Sequence, residues 1–133
     1  MTVNRLPKAP LIAIVDDDDD VREALSDLIL VLDLSCRTYD RAEALLAAYK
    51  PGVFDCIITD VRMSGMSGLD LLRELRRSDG AVPVIVITSD TSPKTRLQAL
   101  EGGAHASLTK PVADSVLLEH LKSALGRDDL RQS

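Results

Sequence analysis

The sequence predicts an α/β fold in which a five-stranded parallel sheet is doubly wound by five helices, and two observations carry that prediction. Five hydrophobic stretches, Leu11 to Val15, Leu34 to Tyr39, Val53 to Thr59, Val84 to Thr88 and Ala104 to Leu108, alternate with segments of helical length and period. Their carboxyl ends run into Asp16, Asp17, Asp60, Thr88, Ser89 and Lys110. In an open parallel sheet ligands collect in the crevice outside the strand ends, so these distant residues are expected to converge on one edge.

The first stretch leads into an Asp run and then into Val21, Ala24, Leu25, Leu28 and Leu32, spaced by three and four residues, which predicts a helix from about Asp20 to Asp33. Asp18, Asp19 or Asp20 suits its start, where a carboxylate caps free amides and complements the helix dipole. A second helix is expected from Asp40 as N-cap through Ala42, Leu45 and Leu46, ended by Pro51-Gly52. A third covers about Ser67 to Arg77. The fourth, from about Ser92 to Glu101, has Pro93 in its first turn and Gly102-Gly103 just beyond its end, the usual asymmetry of helix termini. The fifth spans Ala113 to Leu125, with Leu117, Leu118, Leu121 and Leu125 in one stripe and Gly126 as the stop. Strand and helix alternation of this kind implies right-handed crossovers with helices on both faces.

At 133 residues one domain is expected, burying roughly 68–70% of its unfolded surface. It divides into an N-terminal extension (1–10), the domain itself (11–125) and a charged tail (126–133). With one Phe, two Tyr and no Trp in a chain that is 45% hydrophobic, the core must be aliphatic, which suits buried parallel strands. A net charge of −5 and a pI near 4.9 argue against a nucleic-acid surface, which draws affinity from clustered Lys and Arg. Residues 1–10 lack the apolar run of a signal peptide, and no stretch reaches membrane-spanning length, so a cytoplasmic protein without membrane contact is expected. Cys36 and Cys56, on the second and third strands, read as reduced thiols.

The motifs Ile14-Val15-Asp16-Asp17, Ile57-Ile58-Thr59-Asp60-Val61-Arg62-Met63-Ser64-Gly65-Met66-Ser67-Gly68, Val86-Ile87-Thr88-Ser89 and Lys110-Pro111, in this order and spacing, resemble those of the response-regulator receiver domain over roughly Leu11 to Leu125. The resemblance implies a flavodoxin-like sheet of strand order 2-1-3-4-5. It implies that Asp60 takes a phosphoryl group from a sensor histidine kinase or histidine phosphotransfer protein. It also implies that Asp16, Asp17, Asp60 and the backbone carbonyl of Arg62 hold Mg²⁺. Lys110 would balance phosphoryl charge, Thr88 would donate to a phosphoryl oxygen, and the Ser89 amide would assist. The chemistry of the residues points the same way: clustered carboxylates repel and call for a cation, and oxygen-only ligands suit Mg²⁺. A downstream target or a second copy would bind the face of the fourth helix, fifth strand and fifth helix. No recognisable output segment follows Gly126, so the sequence reads as a stand-alone receiver.

Two departures from the family pattern stand out, and two further positions beside the site invite a separate reading. Ser107 occupies the position where receivers usually carry an aromatic switch residue, Ser64 replaces the usual proline after the phosphoacceptor, and Arg62 and Asp90 are placed to form an ion pair across the mouth of the site. The Lys110-Pro111 bond corresponds to one that is cis in the family. Met63 and Met66 are expected to pack a loop, and neither His105 nor His120 is assigned a role.

Two rival readings bring other classes. Asp17-Asp18-Asp19-Asp20-Val21 after a hydrophobic strand fits the nucleophile motif of haloacid-dehalogenase-like phosphatases, with Asp17 as nucleophile, but that leaves Asp60 unexplained and supplies no late acidic pair. A phosphorylation-independent interaction module would leave the intact Asp60, Thr88 and Lys110 without a purpose.

Overall fold

The computed structural model describes residues 10–78 and 81–126. The expected extension and tail lie outside the described residues, apart from Pro10 and Gly126.

The elements follow in strict alternation: β1 (Leu11–Val15), α1 (Asp19–Val31), β2 (Ser35–Tyr39), α2 (Ala42–Ala48), β3 (Cys56–Thr59), α3 (Gly68–Ser78), β4 (Val84–Thr88), α4 (Pro93–Glu101), β5 (Ala106–Thr109) and α5 (Asp114–Leu125). The strands form one parallel sheet of order β2-β1-β3-β4-β5, as the resemblance implies. The central β1, β3 and β4 are almost continuously aliphatic because both their faces are covered. Ile12, Ile14, Ile58, Ile85 and Ile87 face the layer of α1 and α5, where Ile29, Leu117 and Leu121 meet them. Ala13, Val15, Ile57, Val84 and Val86 alternate onto the other face, against Leu45 of α2, Leu71, Leu72 and Leu75 of α3 and Ala99 of α4. Each fully buried Leu or Ile contributes about 1.5–3 kcal/mol of transfer free energy, so this two-sided aliphatic core replaces what aromatic residues supply elsewhere.

Several local expectations are corrected. The second helix is capped by Arg41 with no side-chain cap bond; Asp40 instead pairs with Arg41, Nε to Oδ1 at 3.3 Å. The third strand begins at Cys56 because Pro51 to Val53 form a turn and the chain bends at Asp55. There Asp55 engages Leu11 twice, donating its amide to the carbonyl at 2.9 Å and accepting the Leu11 amide on Oδ2 at 2.8 Å. Phe54, just after that turn, is buried, edge-on to Tyr39 and stacked on Tyr49. The fifth strand begins at Ala106, two residues late, because Ala104 is still bonded to the Ala99 carbonyl at the exit of α4. In α1 the fully buried residue is Ile29, absent from the expected stripe, while Ala24 is exposed.

The cysteines lie on opposite sides of β1, both in register with Ile12, and both are free. Burial pushes the Cys56 thiol up to about 12, which keeps it protonated and unreactive. Met63 and Met66 pack against the α2–α3 side of the core, as expected. Among the described residues no helix is long and apolar enough to cross a membrane.

Candidate functional site

The site sits at the carboxyl edge of β1, β3, β4 and β5. Asp16 is the first residue after β1, 2% exposed, held in the sheet's plane by its amide bond to the Tyr39 carbonyl at 3.1 Å. Its Oδ1 accepts the Asp18 amide at 2.9 Å, which turns the chain into α1, and Asp18 in turn caps that helix through the amides of Asp20 and Val21. Asp17 is exposed beside it. Asp60 follows β3, 9% exposed, anchored by its amide to the Val15 carbonyl at 3.1 Å.

One carboxylate oxygen each from Asp16, Asp17 and Asp60 lies within 4.8 Å of the others. Asp60 Oδ1 accepts the amide of Val61 at 2.7 Å and a longer contact from that of Arg62 at 3.4 Å. The Lys110 ammonium bridges the remaining oxygens, 2.9 Å from Asp60 Oδ2 and 3.0 Å from Asp16 Oδ2. The Lys110-Pro111 bond is cis, and the Lys110 amide donates to the Thr88 carbonyl at 2.8 Å, tying β5's exit to β4's end. Thr88 is 2% exposed. Its Oγ1 accepts the Asp90 amide at 3.1 Å, leaving the hydroxyl proton for another acceptor. Ser89 is exposed beside it.

Burial raises the Asp16 carboxyl above its ordinary value, against the opposing pull of the Asp18 amide and Lys110. Burial also works to lower the Lys110 ammonium, but its hydrogen bonds to Asp60 and Asp16 outweigh that, and the net direction is up. The lysine therefore stays charged, a fixed cation over two carboxylates. Three hard oxygen ligands on one edge, one of them solvent-facing, are the donor set of a small divalent cation that keeps part of its water.

Three contacts of the site carried no sequence signal. Arg22, in the first turn of α1, donates to the Asp16 carbonyl at 2.5 Å and pairs with Asp19. The Ser64 amide donates to Asp17 Oδ2 at 3.3 Å. Glu43 of α2 reaches across to accept the Met66 amide at 3.1 Å. The last two join a site loop to a part of the chain remote in sequence, visible only once the loops are folded. The expected Arg62–Asp90 pair is formed, at 3.0 Å. Beside Lys110 an open, mostly apolar cleft of about 480 Å³ is lined by Val21, Ala24, Leu25, Ile87, Pro111 and Val112.

Residues 12–122 match the family described as the response regulator receiver domain. The chain belongs to that family. This receiver is 37% identical over 122 residues to the transcriptional regulatory protein FixJ of Azorhizobium caulinodans, covering 92% of this chain and 58% of the relative. It is 36% identical over 118 residues to the response regulator protein TodT of Pseudomonas putida F1, covering 89% and 52%. The chain thus spans about half the length of these curated relatives. Among solved structures, a response regulator receiver protein from Pseudomonas putida matches at a TM-score of 0.80 and 33% identity, covering 89% of this chain and 99% of that one. The chemotaxis protein CheY4 of Vibrio cholerae matches at 0.81 and 27%, covering 88% and 99%. Receiver domains are signalling modules rather than classical enzymes and bind Mg²⁺ at an acidic pocket; this receiver has the Asp cluster for it. Nothing in these matches supports the phosphatase alternative.

Proposed function

We propose that this receiver accepts a phosphoryl group on Asp60 from a sensor histidine kinase or histidine phosphotransfer protein, and that the modified domain changes its affinity for a protein target or a second copy. The observation that carries the reading is the Lys110 ammonium held 2.9 Å from Asp60 Oδ2 inside a cluster of three carboxylates. A lone buried aspartate is a poor phosphate acceptor, because the incoming dianion is repelled. Here a fixed cation and a cation-binding edge surround it.

In the proposed step an Asp60 carboxylate oxygen attacks the phosphorus of the donor phosphohistidine. The P–N bond breaks, its electron pair leaves with the imidazole nitrogen, and an acyl phosphate forms on Asp60. Mg²⁺, when bound by Asp16, Asp17, Asp60 and the Arg62 carbonyl, supplies charge neutralisation for the phosphoryl oxygens. Lys110 exchanges its contact with Asp60 for one with a phosphoryl oxygen while Asp16 continues to orient it. Thr88, whose hydroxyl proton is uncommitted, donates to a second oxygen, and the Ser89 amide assists. The apolar cleft beside Lys110 gives an incoming donor a surface that excludes water from the transfer.

The target face is proposed on α4, β5 and α5, where Leu97, Leu100 and Val116 are exposed apolar residues. Its partner is proposed to be protein rather than nucleic acid, given the net charge of −5, and the site of action the cytoplasm. Intact-protein mass spectrometry after incubation with acetyl phosphate tests the reading. A single phosphoryl adduct is expected, dependent on Mg²⁺ and absent from Asp60→Ala. An adduct that survives Asp60→Ala but is lost in Asp17→Ala would overturn it.

A further inference from the structure

We infer that Asp90 is the positioning residue that couples the Thr88 hydroxyl to the first turn of α4, taking the place of an aromatic switch; the inference rests on the phosphoacceptor reading of Asp60. Asp90 is bonded in two directions at once. Its amide donates to Thr88 Oγ1 at 3.1 Å. Its carboxylate reaches forward into the helix start, where Oδ1 accepts the Ser92 amide at 2.8 Å and Oδ2 accepts the Thr95 hydroxyl at 2.8 Å. Ser92 is the N-cap of α4, and its own Oγ accepts the Thr95 amide at 3.1 Å. Arg62, from the loop after Asp60, closes the network on Oδ2 at 3.0 Å. The side chain of Asp90 is only 15% exposed, and its carboxyl is held down to about 2, first by the Ser92 amide and then by Arg62 and Thr95.

The consequence follows from hydrogen-bond accounting. If Thr88 turns its hydroxyl to a phosphoryl oxygen on Asp60, its oxygen moves, and the Asp90 amide must follow or lose its acceptor. An orphaned amide in a partly buried loop is unfavourable, so the loop follows. Asp90 then carries the displacement to Ser92 and Thr95 through two short bonds. The helix is free to respond, because of its nine residues only Ala99 is fully buried. It also has something to present, since Leu97 and Leu100 are exposed on it. The alternative route through β5 is poorly equipped here: position 107, in register with Val86 of β4, is a serine with no ring to rotate.

Hydrogen exchange of the full chain, treated with acetyl phosphate and Mg²⁺, tests this, with phosphoryl occupancy read by intact mass in the same samples. Phosphorylation is expected to change exchange over 93–101 in the wild type. At equal occupancy that change should fall to about half or less in Asp90→Ala and in Thr95→Val, the latter removing only the helix end of the link and no bulk. Asp90→Asn keeps one acceptor oxygen, for the Ser92 amide, and can donate its own NH₂ to the Thr95 hydroxyl oxygen, so it should retain the change, which a merely structural loss of the loop would not permit. A wild-type-sized change in both Asp90→Ala and Thr95→Val overturns the coupling and leaves the phosphoacceptor reading standing. A wild type that takes no phosphoryl group overturns the phosphoacceptor reading, and the coupling with it.

Discussion

Arg62 Nη2 lies 3.0 Å from Asp90 Oδ2, joining the loop that follows the candidate phosphoacceptor to the loop that follows β4. The arginine side chain is 74% exposed and the aspartate largely covered, and we propose that the pair roofs Asp60. On that proposal, water that hydrolyses an acyl phosphate on Asp60 has to pass this roof. An exposed ion pair is worth no more than about 1 kcal/mol, so its removal should speed decay of phospho-Asp60 on the order of a few-fold. Phosphoryl decay followed by mass in wild type and in an Arg62→Ala Asp90→Ala variant checks this, and equal rates would remove the roof from consideration.

That pair was legible in the sequence because Arg62 follows Asp60, and Asp90 follows Thr88, by two positions just past the ends of β3 and β4, and a parallel sheet brings strand ends together whatever lies between. The same logic placed Asp16, Asp60, Thr88 and Lys110. Cross-links between loops were not legible, since the bonds from Glu43 to Met66 and from Ser64 to Asp17 depend on loop conformations that no periodicity encodes. Two of the element boundaries that shifted did so where a polar side chain took a partner that the sequence does not announce, while β5 started late through the backbone bond from Ala104 to Ala99. Asp40 turned to Arg41 instead of capping α2, and Asp55 bonded Leu11 just before β3. The stripe of α1 missed Ile29 because an apolar helix end, with Leu28, Ile29, Leu30 and Val31 in succession, does not announce which side is covered.

Gly68 is expected to tolerate no side chain. A Cβ built there would stand 1.9 Å from the Asp60 carbonyl oxygen, which is backbone and cannot turn aside, while the Gly68 amide is fixed on the Val61 carbonyl at 2.8 Å. Gly68→Ala must therefore push α3 away from the end of β3. The expected loss is about 1–3 kcal/mol or more in denaturant unfolding, together with slower acceptance of phosphate at Asp60. Wild-type stability in this variant would show that the close approach is relieved elsewhere.

The start of α3 carries a reciprocal cap: Asp70 donates its amide to Ser67 Oγ at 3.1 Å, and the Ser67 amide makes a 3.4 Å contact with Asp70 Oδ2. Ser67→Ala should cost about 1 kcal/mol, a fall in Tm of roughly 4 °C. The Ser67 hydroxyl and amide also hold the Asp70 carboxyl below its ordinary value. A depressed folded-state value contributes stability that is present above the unfolded carboxylate value and is lost as pH falls through the folded one. Ser67→Ala should thus narrow the gap to wild type as unfolding is measured at progressively lower pH in the acid range. A gap that widens on acidification would count against the cap.

Lys110 should oppose the metal and serve the phosphate, so its removal is expected to move two measurements in opposite directions. Its ammonium lies 2.9 and 3.0 Å from carboxylate oxygens of Asp60 and Asp16, two of the three carboxylates that would hold Mg²⁺. A monovalent and a divalent cation drawn to the same carboxylates would repel by at least about 1 kcal/mol even in a water-like dielectric, so Lys110→Ala should bind Mg²⁺ roughly tenfold more tightly by calorimetric titration. Asp17→Asn, which subtracts a ligand charge, should bind it more weakly by a comparable factor. Phosphoryl acceptance behaves differently, because the positive charge that repels the metal also attracts the incoming phosphoryl oxygens. Lys110→Ala should accept phosphate from acetyl phosphate more slowly even at saturating Mg²⁺. Weaker Mg²⁺ binding in Lys110→Ala would mean that the lysine is needed to hold Asp16 and Asp60 in place for the metal, and that its charge acts on the site mainly through their geometry.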